Sequence, residues 1–131
     1  MNGPRMFFLL SEKGRWEALR DLVADGQRIL VISRQEDPVG TADVFDSAGT
    51  VDMILCTTVR RDGAVPPTSL GTLLDRVTEH LDRHGDKALV VIDVLTYLSI
   101  FNSESEISRF LTIINDHSMW TGGRVAVSYT H

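Results

Sequence analysis

Asp93 closes an apolar run, Leu89 to Asp93 (LVVID). A carboxylate at the end of a buried strand can hold a metal ion or orient a water. The competing reading is an aspartate that caps the turn after its strand. We favour it, because such a carboxylate does chemistry only beside its companion motif. Lys13, Arg15, Arg34, Arg60 and Arg61 all follow strand-like runs or start helical ones. In a parallel sheet those positions gather at the carboxyl edge, where ligands bind. Lys13, Arg15, Arg34, Asp93 and Thr96 are therefore the candidate ligand or anion site, weighed against ordinary solvated loops.

The other reactive side chains read more plainly. His80 and His84 are spaced i, i+4 and can share one helix face, as a metal pair does. The residues between them, Leu81, Asp82 and Arg83, do not complete H-E-x-x-H. The expectation is a solvated polar face at a helix carboxyl end, where positive charge is welcome. Cys56 is the single cysteine. A reactive thiol needs a neighbouring base or helix terminus, so a buried small residue is expected. Trp16 and Trp120 fall in apolar helical patterns and are expected in the core, an interface anchor being the alternative. No catalytic residue, metal site or cofactor is expected. A small hydrolase or redox enzyme would require Asp93, Cys56 and a histidine to converge.

These residues need a frame. Short apolar runs, rich in β-branched residues, mark strands at about 6–10, 28–33, 51–57, 88–94 and 124–129. Between the first two, Trp16, Leu19, Leu22 and Val23 recur at helical spacing. Thr68 is placed as the cap of a helix striped by Leu70, Leu73, Leu74, Val77 and Leu81. Ser103 and Glu106 form an S-x-x-E capping box, before a helix carrying Ile107, Phe110, Leu111, Ile114 and Trp120. Leu95 to Phe101 reads as a short helix, and Thr41 to Phe45 as one helical turn. Near-continuous apolar strands alternating with amphipathic helices predict an α/β fold with a mostly parallel sheet covered on both faces. The expected core is Phe8, Leu10, Leu19, Leu22, Leu30, Ile32, Leu74, Val77, Val90, Ile92, Phe110, Ile114 and Val125.

Length and composition agree. The chain has 131 residues, 43% hydrophobic and 24% charged, with a net charge of −5. One three-layer domain over 1–131, with a five-stranded sheet, is expected. The acidic balance argues against nucleic acid or an anionic membrane as partner. No apolar run reaches the roughly 18 residues that span a bilayer. No signal peptide is read at the amino terminus, and the lone thiol suits a reducing compartment, so a cytoplasmic protein is expected.

The run KALVVIDVLTYLSIFN, the capped helix after it and GGRVAVSYTH resemble an archaeal family of uncharacterised proteins, the domain of unknown function numbered 835. Pro67-Thr68-Ser69-Leu70 and the Ser33-Arg34 junction are similar too. The resemblance implies an archaeal cytosolic protein and brings no activity. More remotely, the order of elements resembles the RecA-like and KaiC-like ATPase core, with Leu89 to Asp93 similar to its Walker B strand. That likeness implies the strand order first, fifth, fourth, second, third. A flavodoxin-like order would instead pair the first two strands. The phosphate loop of that core, G-x-x-x-x-G-K-[ST], is missing. Ser11 to Glu17 (SEKGRWE) has one glycine and two acids, too few inward N–H donors for a triphosphate. Little affinity for Mg·ATP is expected.

The sequence thus predicts a non-catalytic regulatory or protein–protein interaction module. A protein partner is expected, a second copy of the chain being one candidate. The alternative is a degenerate RecA-like protein that binds a nucleotide or phosphate.

Overall fold

A computed structural model describes residues 7–10, 26–34 and 49–128. The strands are β1 (Phe7–Leu10), β2 (Gln27–Ser33), β3 (Gly49–Leu55), β4 (Ala88–Ile92) and β5 (Arg124–Ser128). The helices are α1 (Leu70–His84), α2 (Leu95–Phe101) and α3 (Glu104–Thr121). The expected helix over 15–25, the turn over 41–45, Phe8, Leu10, Trp16, Leu19 and Leu22 lie outside the residues or side chains described.

The strands form one sheet in the order β1-β5-β4-β2-β3, every pairing parallel. β1 pairs with β5 and not with β2, which excludes the flavodoxin-like order. Ile32 stands opposite Ile92 on β4 and Ile54 on β3. β2 and β4 bury nearly every side chain, because each has a strand on both sides and cover on both faces. Leu30, Ile32, Val90, Ile92, Val125 and Val127 face the layer of α1 and α3. Ile29, Val31, Leu89, Val91 and Ala126 point the other way and are also buried.

α1 turns Leu73, Val77, His80 and Leu81 inward. α3 turns Ile107, Phe110, Ile114 and Ser118 inward. The capping box forms as expected: Glu106 N donates to Ser103 Oγ at 3.1 Å, and Ser103 N donates to Glu106 Oε1 at 3.0 Å. The Ser103 backbone N–H first, and its hydroxyl second, hold the Glu106 carboxyl below its usual range. α3 stops at Gly122, whose φ of 82° is left-handed backbone. Gly123 is needed for a different reason. A Cβ there would sit 2.6 Å from Leu81 Cδ2 and 3.0 Å from the Gly85 carbonyl.

Four expectations are corrected. Ser69, not Thr68, precedes the first residue of α1. Leu74 is half-buried at the packed edge of the cluster, one residue round the helix from Leu73. Trp120 is 90% exposed. It lies six residues beyond Ile114, about 240° round the helix, whereas the inward position is taken by Ser118. His80 is buried rather than solvated, three residues past Val77 on the inward stripe.

Candidate functional site

The connections of the sheet diverge above two neighbouring strands. The chain leaving β2 goes outward to β3, while the chain leaving β4 goes to β5 on the other side. β2 and β4 are neighbours, so their carboxyl ends flank the point where connections diverge. Ligands of open α/β sheets bind at such points. Arg34 follows β2 there and Asp93 follows β4.

Asp93 is half-buried. Its backbone N–H donates to the Ile32 carbonyl at 2.9 Å, which ties it to β2. Its Oδ1 accepts a hydrogen bond from the hydroxyl of Ser128, the last residue of β5. The residue before the following helix, α2, is Val94, which makes no side-chain cap bond. Through Ser128 the Asp93 carboxylate braces β4 against β5 at their carboxyl ends.

The exposed Arg34 guanidinium lies over the Tyr97 ring, 4.1 Å from its centroid. Tyr97 comes from the first turn of α2, as does half-buried Thr96. The Tyr97 hydroxyl accepts the Thr58 N–H at 3.1 Å, and its ring packs edge-on against Phe101 at 5.3 Å. The segment after β3 is fixed by its own bonds. Thr57 N donates to the Val65 carbonyl at 3.1 Å, and Val65 N to the Leu55 carbonyl at 2.9 Å. Asn102 Nδ2 donates to the carbonyls of Pro67 and Leu98, both at 2.9 Å. These bonds present Arg60 and Arg61 on a closed loop, lining a cavity of about 310 Å³ with Thr57, Thr58 and Asp62.

The edge also exposes apolar surface. Val59 is 60% exposed, Ile100 70% and Phe101 40%. Ile100 and Phe101 follow Tyr97 on α2, and Val59 follows the Thr58 that bonds it.

Cys56 is buried directly below this loop. Burial pushes its thiol up to about 11, against the opposing pull of the Arg34 charge. It is a core residue, as expected, and stays protonated near neutral pH.

The histidines lie elsewhere. His80 Nε2 is 2.9 Å from the Arg28 carbonyl, near the start of β2, and its ring meets that of His84 at 4.7 Å. Both pKa values are lowered, chiefly by burial. They line a cavity of about 250 Å³ with Asp52, Arg76, Glu79 and Arg83. Arg28 pairs with Ala88, and Asp93 is five residues further along, about 16 Å at strand rise. His117 Nδ1, on α3, lies 3.4 Å from Asp82 of α1. Asp93, Cys56 and a histidine therefore do not converge among the described residues. No group of three or more His, Cys, Asp or Glu side chains suited to a metal occurs among them either.

Of the candidate site, the structure gathers Arg34, Asp93 and Thr96 at one edge. Lys13, Arg15 and His131 lie outside the described residues. Tyr97, Ser128, Thr58 and Asn102 are site residues that sequence reasoning did not assign. Asn102 and Tyr97 fall inside the quoted run KALVVIDVLTYLSIFN, which was the signal for them. Ser128 had none, since its role depends on which strand lies beside β4.

A parallel α/β domain with a polar crevice at its carboxyl edge is the class that fold and site define. Residues 9–130 match the family described as protein of unknown function (DUF835), and the chain belongs to that family. No curated protein matches it. Among the described residues no helix is long and apolar enough to cross a membrane.

Proposed function

We propose that the protein is a non-catalytic regulatory or protein-interaction module whose recognition face is the carboxyl edge of the sheet. One observation carries this reading: the Arg34–Tyr97–Phe101 stack shares its edge with exposed Val59, next to the Thr58 that bonds Tyr97, and exposed Ile100, three residues past Tyr97 on α2. Arginine and tyrosine beside apolar side chains are the composition of interface hot spots. Rigid aromatic anchors also lose little entropy on binding. The reactive groups of the same edge support it. The Asp93 carboxylate is engaged by Ser128, and the Cys56 thiol is buried and protonated. A family-wide archaeal origin and a cytoplasmic location belong to the same proposal.

Cross-linking in cells that express the protein tests it, read by mass spectrometry. Cross-links to a partner should cluster at the loop over 57–64 and at α2. They should disappear in a Phe101→Asp variant that keeps the wild-type melting temperature. Cross-links scattered over the surface, or unchanged in that variant, overturn the reading.

A second reading has its own observation. Arg34 and Asp93 flank the point where connections diverge, which favours a degenerate nucleotide or phosphate site of the RecA-like kind. Calorimetry with Mg·ATP separates the two. The module gives no saturable heat at tens of micromolar protein. A Kd below about 100 μM, roughly 5.5 kcal/mol, makes the second reading the correct one.

A further inference from the structure

We infer that the carboxyl-edge face pairs with a second copy of this chain about a two-fold axis. This deepens the recognition-face reading, rests on it and names its partner. The centre of the face is α2. Leu95 and Leu98 hold the buried side of that helix. Ile100 and Phe101 lie three and four residues past Tyr97, on the same side of the helix as Tyr97, and both are exposed. Exposed Val59 sits on the loop that the Tyr97 hydroxyl holds through Thr58. Neighbouring exposed apolar side chains of this size mark contact with another molecule.

The charges around α2 choose the partner. Cations stand at its amino end: Arg34 over the Tyr97 ring, 4.1 Å from the centroid, and exposed Arg60, two residues past the Thr58 bound to Tyr97. Acids follow its carboxyl end. Exposed Glu104 opens α3 three residues past Phe101, and exposed Glu106 follows in the capping box. Asp62 offsets part of the positive end and Arg109 part of the negative end, but neither cancels it. A face that is positive at one end, apolar in the middle and negative at the other is complementary to itself. A two-fold axis through the middle sets Ile100 and Phe101 against their own copies. It also sets Arg60 against the partner's Glu104, and Glu104 against the partner's Arg60. A partner of uniform charge would match one end and oppose the other. The net charge of −5 repels a second copy at long range, but salt screens that beyond roughly 8–10 Å. A face of one short helix and one loop belongs to the small, transient class of interface. A weak dimer is therefore expected, with a Kd of roughly 10–100 μM.

Sedimentation equilibrium of the full chain, at concentrations spanning that Kd, tests this. A reversible monomer–dimer equilibrium is expected, weakened by added salt. Arg60→Glu and Glu104→Arg each place like charges together twice per dimer. Each should weaken association at least about fivefold while keeping the wild-type melting temperature. An equimolar mixture of the two variants should dimerise as wild type does, because each copy supplies the charge that the other has lost. Only contact between the two ends of the face gives that rescue. A chain that stays monomeric throughout overturns the inference. So does a dimer indifferent to both charge reversals, or a mixture that associates no better than either variant alone. A monomeric chain whose cross-links in cells still cluster at the loop over 57–64 and at α2 binds a different protein there. The recognition-face reading then stands while the second copy falls, so the two failures are told apart.

Discussion

The two ends of the sheet hold similar inventories and use them differently. At the amino end, His80, His84, Asp52, Glu79, Arg76 and Arg83 line one cavity. Its central ring, His80, is turned inward and bonded to the backbone of β2. Its charges also cancel locally, since Arg83 pairs with Glu79 at 2.9 Å. At the carboxyl end, Arg34 and Tyr97 are held by contacts from three segments yet face outward. The difference lies in the chain path. Connections diverge above β2 and β4 at the carboxyl end, the place where open α/β sheets bind ligands. Residue types that could do chemistry line a cavity at both ends, but at the carboxyl end they stand where the connections diverge.

That contrast can be broken at four levels. The largest effect comes from the strand common to both ends. Ile92 is fully buried in β4, so Ile92→Asp places an unpaired charge between two layers. No cooperative unfolding transition is expected by circular dichroism. A soluble, cooperatively melting variant would show that β4 is not central.

The second effect concerns reactivity just beneath the crevice. The Cys56 thiol is pushed from 9.0 to about 11, two pH units. At pH 8 the native chain should react with a thiol reagent at least about a hundredfold more slowly than the urea-unfolded chain, because only the thiolate attacks. Equal rates would make Cys56 a reactive group and reopen the catalytic reading.

The third is the brace between β4 and β5. Ser128 is buried, and its hydroxyl donates to Asp93. Ser128→Ala should cost about 1–3 kcal/mol in urea unfolding, since it removes a hydroxyl that donates to a half-buried carboxylate. A cost below about 0.5 kcal/mol would mean that the brace does not support the crevice.

The fourth and smallest effect belongs to the amino end. His80 and His84 have lowered pKa values in the folded state, so the unfolded chain binds protons first as pH falls. The stability they support is complete above the ordinary histidine value of 6.5. It declines as pH drops through that value toward the lowered folded ones. The urea midpoint should fall between pH 7.5 and 5.5, and fall less in a His80→Gln, His84→Gln double variant. The same slope in both proteins would assign the effect elsewhere.

The sequence made some of this legible. Strands β2 and β4 are visible because RILVIS and ALVVI are short, apolar and β-branched. The start of α3 is visible because a capping box is a local signal. Arg34, Asp93 and Thr96 could be placed at one edge from strand ends alone. The misreadings came from letting residue type outrank position. Trp120 is apolar but off the stripe, and His80 is polar but on it, as counting 100° per residue from Ile114 and Val77 shows. The Arg34–Tyr97 stack and the Ser128–Asp93 bond were not legible. Each joins residues more than 30 positions apart, and only the strand order brings them together.

The central claim is that the carboxyl edge recognises and does not catalyse. Phosphorus-31 NMR of Mg·ATP with the full-length chain, followed over a day, tests this most directly. The account predicts that inorganic phosphate accumulates no faster than in a protein-free sample. Faster release, abolished by Asp93→Asn, would contradict it and make Asp93 a catalytic carboxylate.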